Sequence, residues 1–382
     1  MSSFSRVEKL EDGFDSELRG RLDVEPAYPN TVPTQANYPA NGIAQHRPKA
    51  LRQFTPSQAL LLDSGQPLST ATIGYQTWGT LNAAGNNVIW VCHALTGTTD
   101  VPATWPALFG PGRVFDPDHD FIVCANVLGG CYGSAGPVSH GYSFPEISIF
   151  DMARHQQLLA EHLGIKAIKL LLGGSMGGFQ ALAWAHAPVL PIAKLTLIAT
   201  SYRQPAQAVA LADMQCQAIE LDPNFKAGHY SQSAPPRKGL ALARQIGHLS
   251  YRCEPELNQR FDRTERSDGR LQVLSYLDHQ GEKLANRFDA NAYLRISRAM
   301  NRFALDADQL AQITVQTLVI SVRSDWLYPE AEQRQLARLL PNARHIAFDS
   351  NYGQLARRAA FRSTLTLCDA NARLSFNAVG MF

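Results

Sequence analysis

Leu170-Leu171-Leu172-Gly173-Gly174-Ser175-Met176-Gly177-Gly178-Phe179-Gln180-Ala181 is an apolar run, a glycine-flanked serine and a helix-forming run in immediate succession. The pattern Gly-x-Ser-x-Gly has chemical meaning only where a strand enters it and a helix leaves it, and both flanks satisfy that condition. Small residues on each side let the backbone turn sharply, so the Ser175 hydroxyl stands above a sheet. The N-terminus of the following helix then aims its free amides at a reacting carbonyl. On this reading Ser175 is a nucleophile and the Met176 N–H is one oxyanion donor. A glycine-rich turn without chemistry has the same composition. A phosphate loop would end in Gly-Lys-Ser/Thr, which is absent.

Outward from this turn, Asn87 to His93 and Phe121 to Asn126 are continuous apolar runs, as expected of strands covered on both faces of a parallel sheet. A helix is expected over Asp151–Leu163, stopped by Gly164, and a strand over Ile168–Leu172. Further strands are expected over Leu195–Ala199, Gln316–Val322 and Ala343–Phe348. Ahead of these, Ala59–Leu62 and Thr72–Trp78 suggest an opening hairpin. Strands alternating with helices specify an α/β fold with right-handed crossovers, and with the serine turn an α/β-hydrolase fold: a mostly parallel sheet flanked by helices.

Residues 1–50 are rich in Pro, Asn, Gln and Ala without periodicity and are expected to be a disordered leader. Strand runs stop between 201 and 312, where helices such as Gln204–Leu221 and Ala290–Asp306 are expected to form an inserted cap. The sheet domain is thereby assigned to 51–200 and 313–382. No internal repeat is present.

Bulk properties narrow the function. The 382 residues carry 35 basic and 33 acidic side chains, a net charge of +2, with no basic run to attract nucleic acid or anionic lipid. No stretch of about 18 apolar residues and no secretory h-region occurs. The six cysteines are scattered without Cys-x-x-Cys spacing, and the 11 histidines form no His-Glu-x-x-His. The expectations are a cytoplasmic enzyme with no metal, no bound cofactor, no nucleic-acid partner and no membrane association.

Within this fold the second oxyanion amide follows an earlier strand. The stretch His93-Ala94-Leu95-Thr96-Gly97 points to the Leu95 N–H, with His93 itself a packed strand-end residue. The catalytic acid should end a late strand, and Asp325 does so after Leu318–Val322, although a loop Asp there also suits a cap on the following helix. The histidine should come next, but no histidine follows His345, which lies inside a strand. Residue 354 is Gln, and an amide does not serve as a general base.

Several stretches together resemble the homoserine O-acetyltransferases. They are Cys92 to Gly97, Gly110-Pro111-Gly112 to Phe115-Asp116, Asn126 to Pro137, Gly173 to Gly178, Phe288 to Tyr293, Ser324 to Pro329, and Tyr352-Gly353. The resemblance spans about residues 54–353. It implies acetyl transfer from acetyl-CoA, as co-substrate, through acyl-Ser175 to L-homoserine, for methionine synthesis. It also implies a homodimer paired through the helical cap and a deep tunnel that limits water.

Three positions depart from the family. Gln354 stands in the histidine slot, Leu355 where an acid would bind the substrate amine, and Cys216 where an arginine would bind its carboxylate. From Gln354 onward the likeness is lost, as a reading-frame change near codon 354 would produce. Two alternatives follow: an esterase or transferase for another hydroxyl acceptor, and a family member impaired or inactive for want of its histidine.

Overall fold

The fold was analysed in a computed structural model that describes residues 50–350 and Gly353. Apart from Ala50, the expected leader lies outside the described residues, as do Gln354, Leu355 and the tail.

Ten strands are described: β1 (Arg52–Phe54), β2 (Leu60–Leu61), β3 (Pro67–Leu68), β4 (Ile73–Trp78), β5 (Val88–Cys92), β6 (Phe121–Ala125), β7 (Ile168–Gly174), β8 (Lys194–Ile198), β9 (Gln316–Val322) and β10 (Ala343–Phe348). The helices before the serine turn are α1 (Val101–Thr104), α2 (Pro137–His140) and α3 (Ile149–His162), and α4 (Met176–His186) leaves that turn. Between β8 and β9 the chain runs through α5 (Ala206–Glu220), α6 (Arg237–Ser250), α7 (Glu254–Phe261), α8 (Gln272–Ala285), α9 (Ala290–Arg302) and α10 (Ala307–Ala311). Helix α11 (Glu330–Leu339) connects β9 to β10.

Eight strands form one sheet in the order β1-β4-β6-β5-β7-β8-β9-β10. Pairing is antiparallel at β1/β4 and β4/β6 and parallel from β6 to β10. This is the mostly parallel α/β-hydrolase sheet expected from the apolar runs, whose residues in β5 and β6 are buried throughout. Parallel pairing puts the C-terminal ends of β5, β7, β9 and β10 on one edge, where ligands bind in such sheets. The register sets Cys92 beside Gly173 and Gly174 beside Ile198.

The opening hairpin is not formed as expected. Leu60–Leu61 pairs with Pro67–Leu68, closed by a tight turn in which Gly65 N donates to Leu62 O at 2.8 Å. Strand β4 pairs instead with β1 and β6. The nearer partner wins because a short loop closes at less entropic cost.

Helix limits also shift for local reasons. Helix α3 begins at Ile149 because Ser148 and Asp151 form a capping box. Pro205 delays α5 to Ala206. The expected Ala290–Asp306 helix ends at Arg302, where Phe303 turns extended and Ala304 bridges Arg203, and Asp306 then caps α10. In α9 the three- and four-residue spacing of Tyr293, Ile296 and Met300 buries one face. Each fully buried large side chain of this kind contributes roughly 1.5–3 kcal/mol.

Candidate active site

Ser175 sits between the last residue of β7 and the first of α4 with φ 55° and ψ −127°. A non-glycine residue in that region costs about 1–3 kcal/mol and persists only where its surroundings hold it. Here Ser175 N donates to Ile198 O at 2.9 Å, while its carbonyl accepts from Gly178 N and from Thr200 Oγ1, each at 2.8 Å. The glycines are required by contact. A Cβ at Gly177 would lie 2.1 Å from Cys92 O, so the start of α4 can approach the end of β5 only without a side chain.

A buried polar chain joins the serine turn to the loop after β5. Trp90 Nε1 donates to Gln156 Oε1 and Gln156 Nε2 to Gln180 Oε1, both at 2.8 Å, and Gln180 Nε2 reaches His93 O at 3.0 Å. His93 is a packed strand-end residue, as expected. Its Nδ1 bonds Ala94 O at 2.9 Å, and its Nε2 accepts from Val127 N at 3.2 Å. Burial lowers its pKa to about 4, so the ring is neutral.

Ser175 and Leu95 face a common cavity of about 40 Å³, which Gln215, Tyr251, Leu327 and Tyr328 also line. Met176 is fully buried as the first residue of α4, where helix geometry gives its amide no intrahelical acceptor. Asp325 is buried just behind the cavity wall. Its Oδ1 accepts from Leu327 N and Tyr328 N, both at 3.0 Å. One carboxylate oxygen therefore holds its own loop and not the following helix, whose N-cap is Pro329 without a side-chain cap, and those bonds also orient the group.

The described residues lining the cavity include no histidine. His345 lies in β10, bonded through Nε2 to Ser321 Oγ at 2.7 Å. Gly353, at φ 54°, packs against the backbone of Tyr251, Arg252 and Cys253, and its N–H donates to Ser324 Oγ at 3.1 Å. The chain thus passes the Asp325 loop immediately before residue 354, which itself lies outside the described residues. Cys216 is buried in the packing of α5, bonded to Ser297, with its thiol pKa raised by burial to about 11. It brings no charge to the cavity. Among the described residues no cluster of metal-ligating side chains occurs, and no helix is long and apolar enough to cross a membrane.

Sequence reasoning missed two arginines. Arg287 Nη1 donates to Thr96 O at 3.0 Å and to Tyr132 Oη at 2.7 Å, and Arg244 Nη1 to Thr96 Oγ1 at 3.3 Å. Only the position of Arg287, next to Phe288 to Tyr293, signalled it.

A serine held on a strained strand-to-helix turn at the C-terminal edge of this sheet, with an acid after β9, defines the α/β-hydrolase class. The sequence profile of the alpha/beta hydrolase fold matches residues 87–352. The homoserine O-acetyltransferase of Nostoc punctiforme is 41% identical over 311 residues, covering 76% of this chain and 87% of that protein. The enzyme of that name from Chlorobaculum tepidum is 42% identical over 314 residues, 78% and 88% of the two chains. This chain belongs to the homoserine O-acetyltransferase family. Solved structures share the fold. Esterase E22 has a TM-score of 0.76 at 22% identity, covering 84% of this chain and 98% of that one. Homoserine O-acetyltransferase from Bacillus anthracis has a TM-score of 0.74 at 23% identity, covering 81% and 94%.

Proposed function

We propose that this chain is an acyltransferase that carries an acetyl group from acetyl-CoA, through an ester on Ser175, to the hydroxyl of L-homoserine. The observation that carries this reading is the held Ser175 turn opening on a cavity beside Leu95, in a chain whose relatives bear that enzyme's name. In the first half-reaction Ser175 Oγ bonds to the thioester carbonyl carbon and loses its proton, then the C–S bond breaks and CoA leaves as the thiol. In the second, the acceptor hydroxyl attacks the acetyl ester and Ser175 is regenerated. The oxyanion of each tetrahedral intermediate is received by the N–H groups of Leu95 and Met176, an arrangement worth several kcal/mol of barrier. The proton that Ser175 loses ends on the CoA sulfur and the acceptor's hydroxyl proton returns to Ser175, while Asp325 stands in the position of the fold's catalytic acid. The product, an O-acetylated amino acid, feeds methionine synthesis.

A second reading, an impaired member or one with another acceptor, is favoured by Gln354 in the histidine slot and by the uncharged, packed Cys216. Dimerisation is assigned to the helical segment between β8 and β9, where Met214, Leu242, Leu249 and Leu274 are exposed. A cytoplasmic site is consistent with there being no disulfide among the five described cysteines.

CoA thiol release from acetyl-CoA, with and without L-homoserine, tests the proposal in the parent, Ser175→Ala and Gln354→His. Homoserine-dependent release that is abolished in Ser175→Ala is the expected result, with Gln354→His faster than the parent. Release that persists in Ser175→Ala refutes the acyl-serine route. No release from either the parent or Gln354→His refutes acetyl-CoA as donor.

A further inference from the structure

The loop after β5 is a four-residue turn. Gly97 N donates to Ala94 O at 2.7 Å, and His93 Nδ1 bonds the same carbonyl. A turn closed in this way leaves its two central amides, Leu95 and Thr96, outside the closure. Closure alone does not set where they point, because the central peptide of a β-turn rotates between turn types with the ends fixed. The rotation is decided by what holds Thr96.

Thr96 is held at two atoms by two cations. Arg287, between α8 and α9, donates to its carbonyl, and Arg244, on α6, donates to its hydroxyl. Arg287 is itself fixed by Tyr132. The tyrosine hydroxyl accepts from Arg287 Nη1 and donates to Arg287 O, both at 2.7 Å. Tyr132 belongs to the glycine-rich 129–137 loop, whose Tyr132 carbonyl accepts from Asn126 Nδ2 at 2.5 Å while Asn126 Oδ1 accepts from Thr99 N at 3.1 Å. Three separate stretches thus meet at one guanidinium: the turn after β5, the glycine-rich loop and the start of α9.

The electrostatics point the same way. The guanidinium of Arg244 stacks 5.6 Å from the Tyr251 ring, and its Nε is buried without a described acceptor. Burial is the first cause of its lowered pKa, and the cation of Arg287 acts in the same direction. No described carboxylate forms an ion pair with either arginine. Two cations without an ion-pair partner among the described residues therefore reach the residue next to Leu95, where screening by water is weak. Their summed field favours negative charge near this turn.

We propose that Arg287 is a positioning residue for acyl transfer: by holding the Thr96 carbonyl it fixes the turn whose Leu95 N–H receives the oxyanion. This deepens the function proposed above and rests on Ser175 being the nucleophile. Arginine suits the task because one Nη reaches two oxygens in a fixed fork, which a lysine ammonium reproduces only in part.

The test uses the full chain, Arg287→Ala and Arg287→Lys, with hydrogen exchange across residues 94–97 and the kinetics of Ser175 phosphonylation by a fluorophosphonate ester. In Arg287→Ala, exchange across 94–97 should rise at least about tenfold while the 173–178 turn is unchanged. The maximal inactivation rate should fall about ten- to a hundredfold with the inhibition constant nearly unmoved, the pattern of a misplaced donor rather than a lost pocket. Arg287→Lys should recover part of both effects, and it carries the test if the alanine variant does not fold. Unmoved exchange and inactivation in Arg287→Ala overturn the positioning role alone. A parent that takes no phosphonate at Ser175 overturns instead the nucleophile reading on which it rests.

Discussion

Gly177→Ala probes how closely α4 must approach β5 for Ser175 to hold its conformation. An ideal Cβ at position 177 lies 2.1 Å from Cys92 O, 2.9 Å from Cys92 C and 3.3 Å from His93 O. An ordinary carbon–oxygen contact is about 3.3 Å, so the two backbones must part by roughly 1.2 Å. The neighbour is main chain, in register with Gly173 on β7, so no side chain can rotate away. That places the substitution at the upper end of overpacking, about 3 kcal/mol, or a fall in Tm of about 4–5 °C for a chain of this length. Displacement of Ser175 by about 1 Å should also slow its acylation about a hundredfold. Gly247→Ala is the internal comparison. Its Cβ meets Tyr251 Oη at 3.3 Å and Gln215 Oε1 at 3.5 Å inside α6, where alanine gains up to about 1 kcal/mol of helix propensity. Thermal unfolding of both variants, with Ser175 phosphonylation as the second readout, decides the matter. A Gly177→Ala protein that melts within a degree of the parent and reacts at the same rate refutes the close-approach account of this turn.

Further outcomes are specific to single groups. Asp325→Ala should strand the buried Leu327 and Tyr328 amides, a loss of about 2–6 kcal/mol in urea unfolding. Asp325→Asn keeps an acceptor, so it should stay near parental stability while acyl transfer collapses, and equal losses of stability in the two variants would contradict this. The pKa values of His93 and His155 are each lowered by burial from 6.5 to about 4. The unfolded chain then binds more protons between those values, so stability is complete above about pH 6.5 and falls as pH drops toward 4. Each ring contributes on the order of 3 kcal/mol over that window. Urea midpoints of His155→Gln should therefore show a shallower pH slope over the window, and an unchanged slope sinks the assignment. Gln180→Leu breaks the chain from Gln156 to His93 and should cost about 2–3 kcal/mol, read as a shift in urea midpoint. A midpoint within experimental error of the parent would remove that network from the account.

Local pattern and tertiary convergence contributed differently to what is known of this protein. Strand β9 coincides with the expected Gln316–Val322, because a strand in the sheet interior needs a largely apolar run and such a run is visible in one dimension, and the half-buried edge strand β10 also coincides with the expected Ala343–Phe348. Ser175 and the flanking glycines were legible for a similar reason: a strained turn between strand and helix imposes its requirements on adjacent residues. The opening hairpin was not legible. β4 has the right pattern for pairing, but which strand it joins depends on loop closure and on the place β6 leaves beside it. His93 as a packed strand-end residue was already expected from its place after β5, whereas its neutral ring and the raised thiol pKa of Cys216 follow from what surrounds them. Least visible of all was the hold on Thr96. Arg287 and Thr96 are 191 residues apart, Arg287 and Tyr132 are 155 apart, and nothing in the spacing of either pair marks it. Sequence determines this protein's elements because backbone preferences act over a few residues. Which distant side chains meet at the serine is decided by strand order and by the return of the helices between β8 and β9 over the sheet edge.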